Sequence, residues 1–351
     1  MPIPETLARL LSAPGPAGQE AHAAAVWREA ASGFAEVSSD VLGSSVARVA
    51  GTEGGPLLAV VGHIDEIALV VTHHGEDGHL AVRGLGGWDP HVLLAQRVEI
   101  LTRDGPIPGV VAVRQERRRR NEDRRPVELR DLYVDVGAVS AEESRSLVRV
   151  GDTAVIAGGP LELPNNRVAS RSLDNRLGSY VALEAARRLA AAGGSRALVA
   201  AVAATQEEVG DFAGSRTTAF ALRPDVAIAV DVTYATDVRG GEVEDDGEHK
   251  LGSGAAIGRG PGLHPGVFEL LHGTAEAEGI PFTVEVSTGH TNTDADAFHL
   301  SRAGIPTGLV SIPTRYVHTP VEMVQLDDVE ACIGLIVAFA QRLEPGTSFA
   351  R

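Results

Sequence analysis

Four short apolar runs, each stopping abruptly at acidic or imidazole side chains, limit what this chain can fold into more than any other feature. The run "LLAVVG" leads into His63 and Asp65, and "LVAAVAATQ" into Glu207 and Glu208. "VAIAV" leads into Asp231, and "GLVSIPTRYV" into His318. None of the runs alternates apolar with polar residues, so a half-exposed strand is excluded; runs of this length that are buried on both faces belong to a largely parallel sheet covered by helices. Helical patterns fall between them. "LDNRLGSYVALEAARRLAAAGG" places Leu177, Val181, Ala185 and Leu189 on one face and stops at Gly193, and further helices are expected at "HPGVFELLHGTAEAEGI" and "LDDVEACIGLIVAFAQRL". The fold class is therefore α/β, a mostly parallel-containing mixed sheet flanked by helices.

One segment has a different texture. From about residue 69 the chain breaks into short β-like runs, "LAVRGLGG", "QRVEILTRDGPIPGVVAVR" and "DLYVDVGA", separated by Gly, Pro and Asp-Gly turns. The expected organisation is a discontinuous catalytic domain, 1–68 with 166–351, carrying an inserted small β-rich domain at 69–165. Within that insertion, Arg114 to Arg125 holds seven Arg against Glu116, Glu122 and Asp123; the interleaved acids make it a solvated loop. His73, His74, His79 and His91 lie there away from any motif and are read as surface or turn residues.

Open α/β sheets place their sites just beyond the carboxyl ends of the strands, so His63, Asp65, Glu207, Glu208, Asp231 and His318 should converge on one edge. Asp174, at the start of the long helix, joins them. Two imidazoles and several carboxylates are a ligand set for a divalent cation, and such carboxylates repel one another when buried together without one. The adjacent pair then divides its work: one Glu binds the cation while its neighbour removes a proton from water beside it. Successive side chains of a strand point to opposite faces, so the pair must sit where strand geometry breaks down, and Gly210 allows the turn. Bland readings exist for each residue taken singly. A lone His is usually structural, an Asp at a helix start is often a cap, and an Asp after a strand is often a turn former.

The motifs "GHIDEI", "SLDNR", "TQEEVG", "VDVTYATD" and "RYVHTPVE", in that order, resemble the M42 family of metallo-aminopeptidases, which includes glutamyl aminopeptidases and the tetrahedral TET peptidases. The likeness runs from "LLSAPGPAGQE" to the C-terminal helix and includes "LGGWD" and "DLYVDVGA" in the insertion. It implies a zinc-exopeptidase-like catalytic domain with a barrel-like insertion, and two divalent ions per subunit, Zn2+ first with Co2+ or Mn2+ as alternatives. His63 and Asp231 would bind one ion, Glu208 and His318 the other, and Asp174 would bridge them. Glu207 would be the general base, and Asp65 would orient His63. Short peptides would be the substrates, and the insertion would pair subunits into dimers that build homo-oligomers up to dodecamers. In place of the family's Gly-Gly-Thr-Asp-Ala run the chain reads "HTNTDADAFH", with Thr291 and Asn292 at the glycines; this loop is the expected source of any unusual side-chain preference.

Charge and composition exclude other classes. The formal charge of −16 repels nucleic-acid backbones and anionic membrane surfaces, and no apolar run approaches the ~20 residues a membrane helix needs. A single cysteine, Cys332, rules out an intrachain disulfide and fits a reducing compartment, and the N-terminus lacks the features of a signal peptide, so a cytoplasmic protein is expected. Because some M42 relatives carry endoglucanase labels, a glycoside hydrolase using paired acids is one alternative, and a non-catalytic scaffold is another. The first needs acids about 5–9.5 Å apart across a sugar and no metal, which adjacent Glu207 and Glu208 beside two His do not favour.

Overall fold

The structure is a computed structural model that describes residues 2–52, 54–114, 126–241 and 243–350. Beyond Arg114, the Arg-rich loop lies outside the described residues. All four apolar runs form adjacent parallel strands, in the order Leu198–Ala204, Leu57–His63, Val226–Tyr234 and Thr307–Arg315. Antiparallel strands extend the sheet on both sides, with Ser45–Val49 pairing with Leu198–Ala204 and Glu322–Gln325 pairing with Thr307–Arg315. The sheet is therefore mixed, with a parallel centre.

The unbroken apolar texture of these runs follows from burial on both faces. Leu58 and Val60 face one core, shared with Leu7, Trp27, Leu177 and Phe339 from helices Glu5–Ser12, Ala21–Ser32, Leu173–Ala191 and Leu326–Arg342. Ala59 and Val61 face a second core, closed by Ala219 of helix Ala213–Leu222 and Phe298 of helix Asp294–His299. Each fully buried Leu or Val contributes roughly 1.5–3 kcal/mol relative to exposure. The long helix sits unusually close to the sheet: a Cβ added to Gly62 would lie 2.3 Å from the Gly178 carbonyl carbon, and one on Gly178 2.3 Å from the Val230 carbonyl oxygen. Glycine at both positions lets the start of that helix rest directly on the strand ends.

Strands Ala68–His74, Leu80–Leu85, Leu132–Asp135, Gly105–Val113, Arg97–Thr102 and Thr153–Ile156 close, in that order, into a barrel. Leu69, Val71, Leu80, Val98, Ile100 and Val134 fill its interior. His74 corrects the expectation of a surface residue: it is buried, and its Nδ1 lies 2.9 Å from the Ser144 hydroxyl, which satisfies the ring inside the wall.

Candidate metal centre

Every predicted site residue arrives at the carboxyl edge of the parallel strands. His63 ends its strand level with Ala204, the last residue of the neighbouring one, and Asp231 lies near the end of the next. The chain beyond Ala204 then departs from strand geometry. Gln206 is left-handed (φ 58°), and the turn Glu207–Asp211 relaxes through Gly210 at φ 88°. This break lets Glu207 and Glu208 enter the same site.

Asp65 holds that turn. Its Oδ1 accepts the Glu207 amide and its Oδ2 the Glu208 amide, each at 3.1 Å, while Oδ1 also lies 3.5 Å from His63 Nδ1. A single buried carboxylate thus faces one imidazole and fixes the backbone of both glutamates. Asp174 is held from other directions. Its own amide donates to Glu322 Oε2 at 3.0 Å, and Asn175 beside it donates from Nδ2 to the Val230 carbonyl at 2.8 Å. Asp174 and Asn175 have non-helical backbone angles inside the segment Leu173–Ala191, and the Asp174 carboxylate points into the cavity, where it meets His63 and His318. Buried Arg171 and Arg176 flank this turn, and both donate to Glu66, just after His63 and Asp65.

The side chains close into two overlapping triads. One ligand atom each from His63, Asp174 and Asp231 lies within 4.8 Å of the others, and the same holds for Asp174, Glu208 and His318. The two oxygens of Asp174 serve different triads: Oδ1 is 3.1 Å from His63 Nε2, and Oδ2 is 3.4 Å from His318 Nε2. Glu208 Oε2 is 3.3 Å from His318 Nε2. Glu207 belongs to neither triad; its Oε2 is 3.8 Å from His63 Nε2. The barrel supplies one wall, since the loop at Gly87 presses on His318 so closely that a Cβ there would sit 3.2 Å from its Nδ1.

Electrostatics show what this cluster lacks. Burial, with nearby Asp231, Asp294 and Glu208, pushes the Glu207 carboxyl up to about 10. Burial likewise raises Asp231 well above the carboxylate range, and it raises Glu208 with Asp174 adding to the effect. His318 is driven up to about 11 by Asp174 and Glu208. Burial opposes a charged His63, yet Glu207, Asp174 and Asp65 raise it all the same. Each of these shifts is one that positive charge in the cluster would relieve. In addition, Glu208 Oε1 is buried and, among the described residues, has no hydrogen-bond donor. Divalent cations fit this donor set, because they would supply that charge and satisfy the stranded oxygen.

The cavity has a volume of about 440 Å³ and is also lined by Thr233, Glu285 and the Thr291–Thr293 loop. A family profile described as M42 glutamyl aminopeptidase matches residues 43–335. The chain belongs to the M42 peptidase family. It is 36% identical to the lysyl aminopeptidase of Pyrococcus furiosus over 315 residues, 88% of each chain. Among solved structures it is similar to a TET aminopeptidase from a marine-sediment Thaumarchaeota archaeon, with TM-score 0.91 and 33% identity over 97% of this chain and 96% of that one. It is also similar to the TET1 peptidase of Pyrococcus horikoshii, described as able to assemble into a tetrahedron or a large octahedral shell, with TM-score 0.85 and 29% identity over 97% and 99%.

Two acidic residues of this M42 chain lie inside the quoted motifs "RYVHTPVE" and "HTNTDADAFH" but were given no role from the sequence. Glu322 is buried and accepts the Asp174 amide through Oε2 and the His318 amide through Oε1, both at 3.0 Å. Its signal was an acid four residues after His318, at the end of "RYVHTPVE". Asp294, in the altered loop, is 1% exposed, and burial pushes it up to about 6 although Ser215 opposes the shift. In the same loop Asn292 takes φ 54°, a left-handed conformation that Asn tolerates better than most residues, where the family's glycine would adopt it freely. Asp296 accepts the amides of Thr291 and Asn292 and so holds the loop. His290 is exposed and belongs to neither triad. Arg315 is committed to Asp237 through two contacts of 3.0 and 2.6 Å.

Proposed function

We propose that this chain is a metal-dependent aminopeptidase that removes N-terminal residues from short peptides, with His63, Asp174 and Asp231 holding one divalent ion and Asp174, Glu208 and His318 holding a second. Zn2+ suits the mixed nitrogen and oxygen donors, as would Co2+ or Mn2+. One observation carries the reading: two triads share the carboxylate of Asp174, while Glu207 stands outside both yet faces the same cavity. Divalent cations in such a site polarise the scissile carbonyl and lower the pKa of water. Glu207, free of ligand duty, takes the proton of the attacking water and returns it to the departing amine. Asp65 keeps the His63 ring turned toward the site, and Glu322 keeps the backbone of Asp174 and His318 in register. The barrel wall and the 291–293 loop limit the space to an extended peptide end.

Assembly follows the family. The segment 69–165 acts as the pairing domain, and Val139 and Val150, 83% and 62% exposed within it, are apolar surface for such a contact. Dimers built this way would enter larger shells of the kind described for the TET1 relative. Among the described residues no helix is long and apolar enough to cross a membrane. A cytosolic site of action also fits the buried free thiol of Cys332.

Hydrolysis of amino-acid p-nitroanilides, before and after chelation and after reloading with each metal, tests the activity. Loss on chelation and recovery on reloading are expected; undiminished turnover by metal-free protein rules the proposal out. Light scattering tests the assembly, where a clean monomer would contradict it.

A further inference from the structure

A second cleft, of about 400 Å³, adjoins the cavity of the two triads, and Phe212 and Asn292 line both. Nothing in the proposed chemistry uses it. The two shared residues are both left-handed, at φ 48° and 54°. That conformation is uncommon outside glycine and an outlier for a residue as bulky as Phe, and strain of this kind gathers where a ligand is clamped. Asn292 also stands where the family's run has glycine, so the ridge between the two spaces is particular to this chain. It offers an aromatic ring and a carboxamide. The Asn292 backbone amide is held by Asp296, while its side chain, among the described residues, has no hydrogen-bond partner.

The cleft runs against the charge of the molecule. The chain carries −16 overall, yet Arg216 and Arg302 line this space against one carboxylate, Asp296. That carboxylate is already committed, since it accepts the amides of Thr291 and Asn292 at 3.1 and 3.0 Å. Arg302 has no carboxylate partner among the described residues; its guanidinium lies 4.9 Å from the centre of the Phe220 ring. Arg216 meets Asp211 at 3.1 Å, but both side chains are exposed, and a surface pair of that kind holds its partners weakly. Phe220 and Leu300, 62% and 67% exposed, form apolar walls. The matching ligand carries a carboxylate at its tip and apolar and amide groups behind it, and it reaches the cleft from the metal cavity. The carboxyl end of a short peptide has these parts in this order. Its peptide groups suit the Asn292 carboxamide, its last side chain suits Phe220 and Leu300, and its carboxylate suits guanidinium forks that bind such groups through paired hydrogen bonds.

We propose that this cleft binds the free carboxylate of the peptide whose amino end lies at the triads, with Arg302 and Arg216 receiving it, so that peptides short enough to place their carboxyl end there are preferred. This rests on the aminopeptidase reading above and adds to it recognition of the opposite end of the substrate. Alanine peptides from the dipeptide to the hexapeptide, each as free acid and as carboxamide, test it in the metal-loaded protein through the kcat/KM of amino-acid release. At the length that reaches the cleft the free acid should be favoured by about tenfold, mainly through KM, and Arg216→Ala combined with Arg302→Ala should bring the ratio close to one. Acid and amide cleaved alike at every length overturn the assignment, as does a preference that survives in the double variant. A double variant whose particle mass in light scattering differs from wild type also overturns it, because a second copy of the chain would then be the occupant of the cleft. Calorimetric binding of the same peptide pairs to metal-loaded Glu207→Gln reads the recognition without turnover. Tighter binding of the acid that the two Arg substitutions abolish supports the assignment even if no peptide is hydrolysed by the wild type, an outcome that would defeat only the aminopeptidase reading. Equal binding of acid and amide at every length overturns the assignment.

Discussion

Replacing Asp65 with Asn removes one oxygen from a group that uses both. Oδ1 and Oδ2 accept the amides of Glu207 and Glu208 at 3.1 Å each, and Oδ1 faces His63 Nδ1 at 3.5 Å. The Asn carbonyl can keep one of those amides, while its NH2 group confronts the other. Losing one bond to a charged acceptor costs roughly 1.5–3 kcal/mol, and the stranded buried amide a further ~1–3 kcal/mol. The metal-free variant should therefore unfold in urea with a stability lower by about 3–5 kcal/mol. A second effect follows from the lost charge. Without an anion opposite Nδ1, the ring is held less firmly and is a poorer donor, which should weaken zinc binding tenfold to hundredfold in competition with a chromophoric chelator. The two measurements separate the two tasks. If zinc affinity stays within threefold of wild type while stability falls as expected, Asp65 clamps the turn and does not orient His63, and the argument for its second task is wrong.

Other perturbations test the remaining parts. Glu207→Gln should bind both ions and lose turnover by about 10²–10⁴-fold, measured on anilides at saturating metal; unchanged turnover would assign the base elsewhere. Glu322→Gln leaves one acceptor for the two amides of Asp174 and His318 and should weaken metal binding by about tenfold, read by the same chelator competition. Glu20 gives a pH test beside the turn that carries the two glutamates: burial pushes its carboxyl up to about 7, with Asp65 adding to the effect, and one oxygen accepts the amides of both Gly18 and Gln206. The folded state binds this proton more tightly than the unfolded state, so stability from Glu20 is fully present below the ordinary carboxylate pKa of roughly 4.3 and is lost as pH rises through 7. Glu20→Gln keeps the shared acceptor without titrating, and should be more stable than wild type at pH 8 by up to ~3 kcal/mol. Urea unfolding at a series of pH values checks this, and parallel profiles would show that the carboxyl is not held as described.

The central strands were legible because burial on both faces leaves no polar position to interrupt them, as at Leu58 to Val61. The long helix was legible for a related reason, since Leu177, Val181, Ala185 and Leu189 repeat at helical spacing and are all fully buried. Closure of the barrel was less so. It depends on Ala68–His74 pairing with Thr153–Ile156 across some eighty residues, and pairing at that separation leaves no local mark. Residues that place a side chain at a strand end could be read from where apolar runs stop. Residues that act on another segment's backbone could not: Glu322 meets Asp174 across 148 positions, and the second task of Asp65 requires the left-handed turn at Gln206. Glu285 stands in no motif; its strand pairs with Ala255–Arg259 and is separated from Val226–Tyr234 by two strands, and its side chain meets Thr233 at the cavity.

The accumulation of acids at this edge has a cause that precedes catalysis. Where parallel strands end, the chain turns away and its amides lose their ladder partners, yet burial still demands acceptors for them. Asp65 serves the amides of Glu207 and Glu208, and Glu322 serves those of Asp174 and His318. Both clamps are carboxylates, and they bind the backbone of four of the residues that face the cavity. The acids that hold these turns thus gather beside the acids the turns carry, and burial with Asp174 and Glu208 close by raises the Glu322 carboxyl well above its ordinary range. A divalent cation there lowers the energy of the ligands and of the clamps together, so binding should tighten the turns as well as fill the site. Hydrogen exchange should report that coupling: metal loading should protect the amides of Glu207, Glu208, Asp174 and His318. Protection confined to segments away from these turns would separate the clamps from the site and undo the connection.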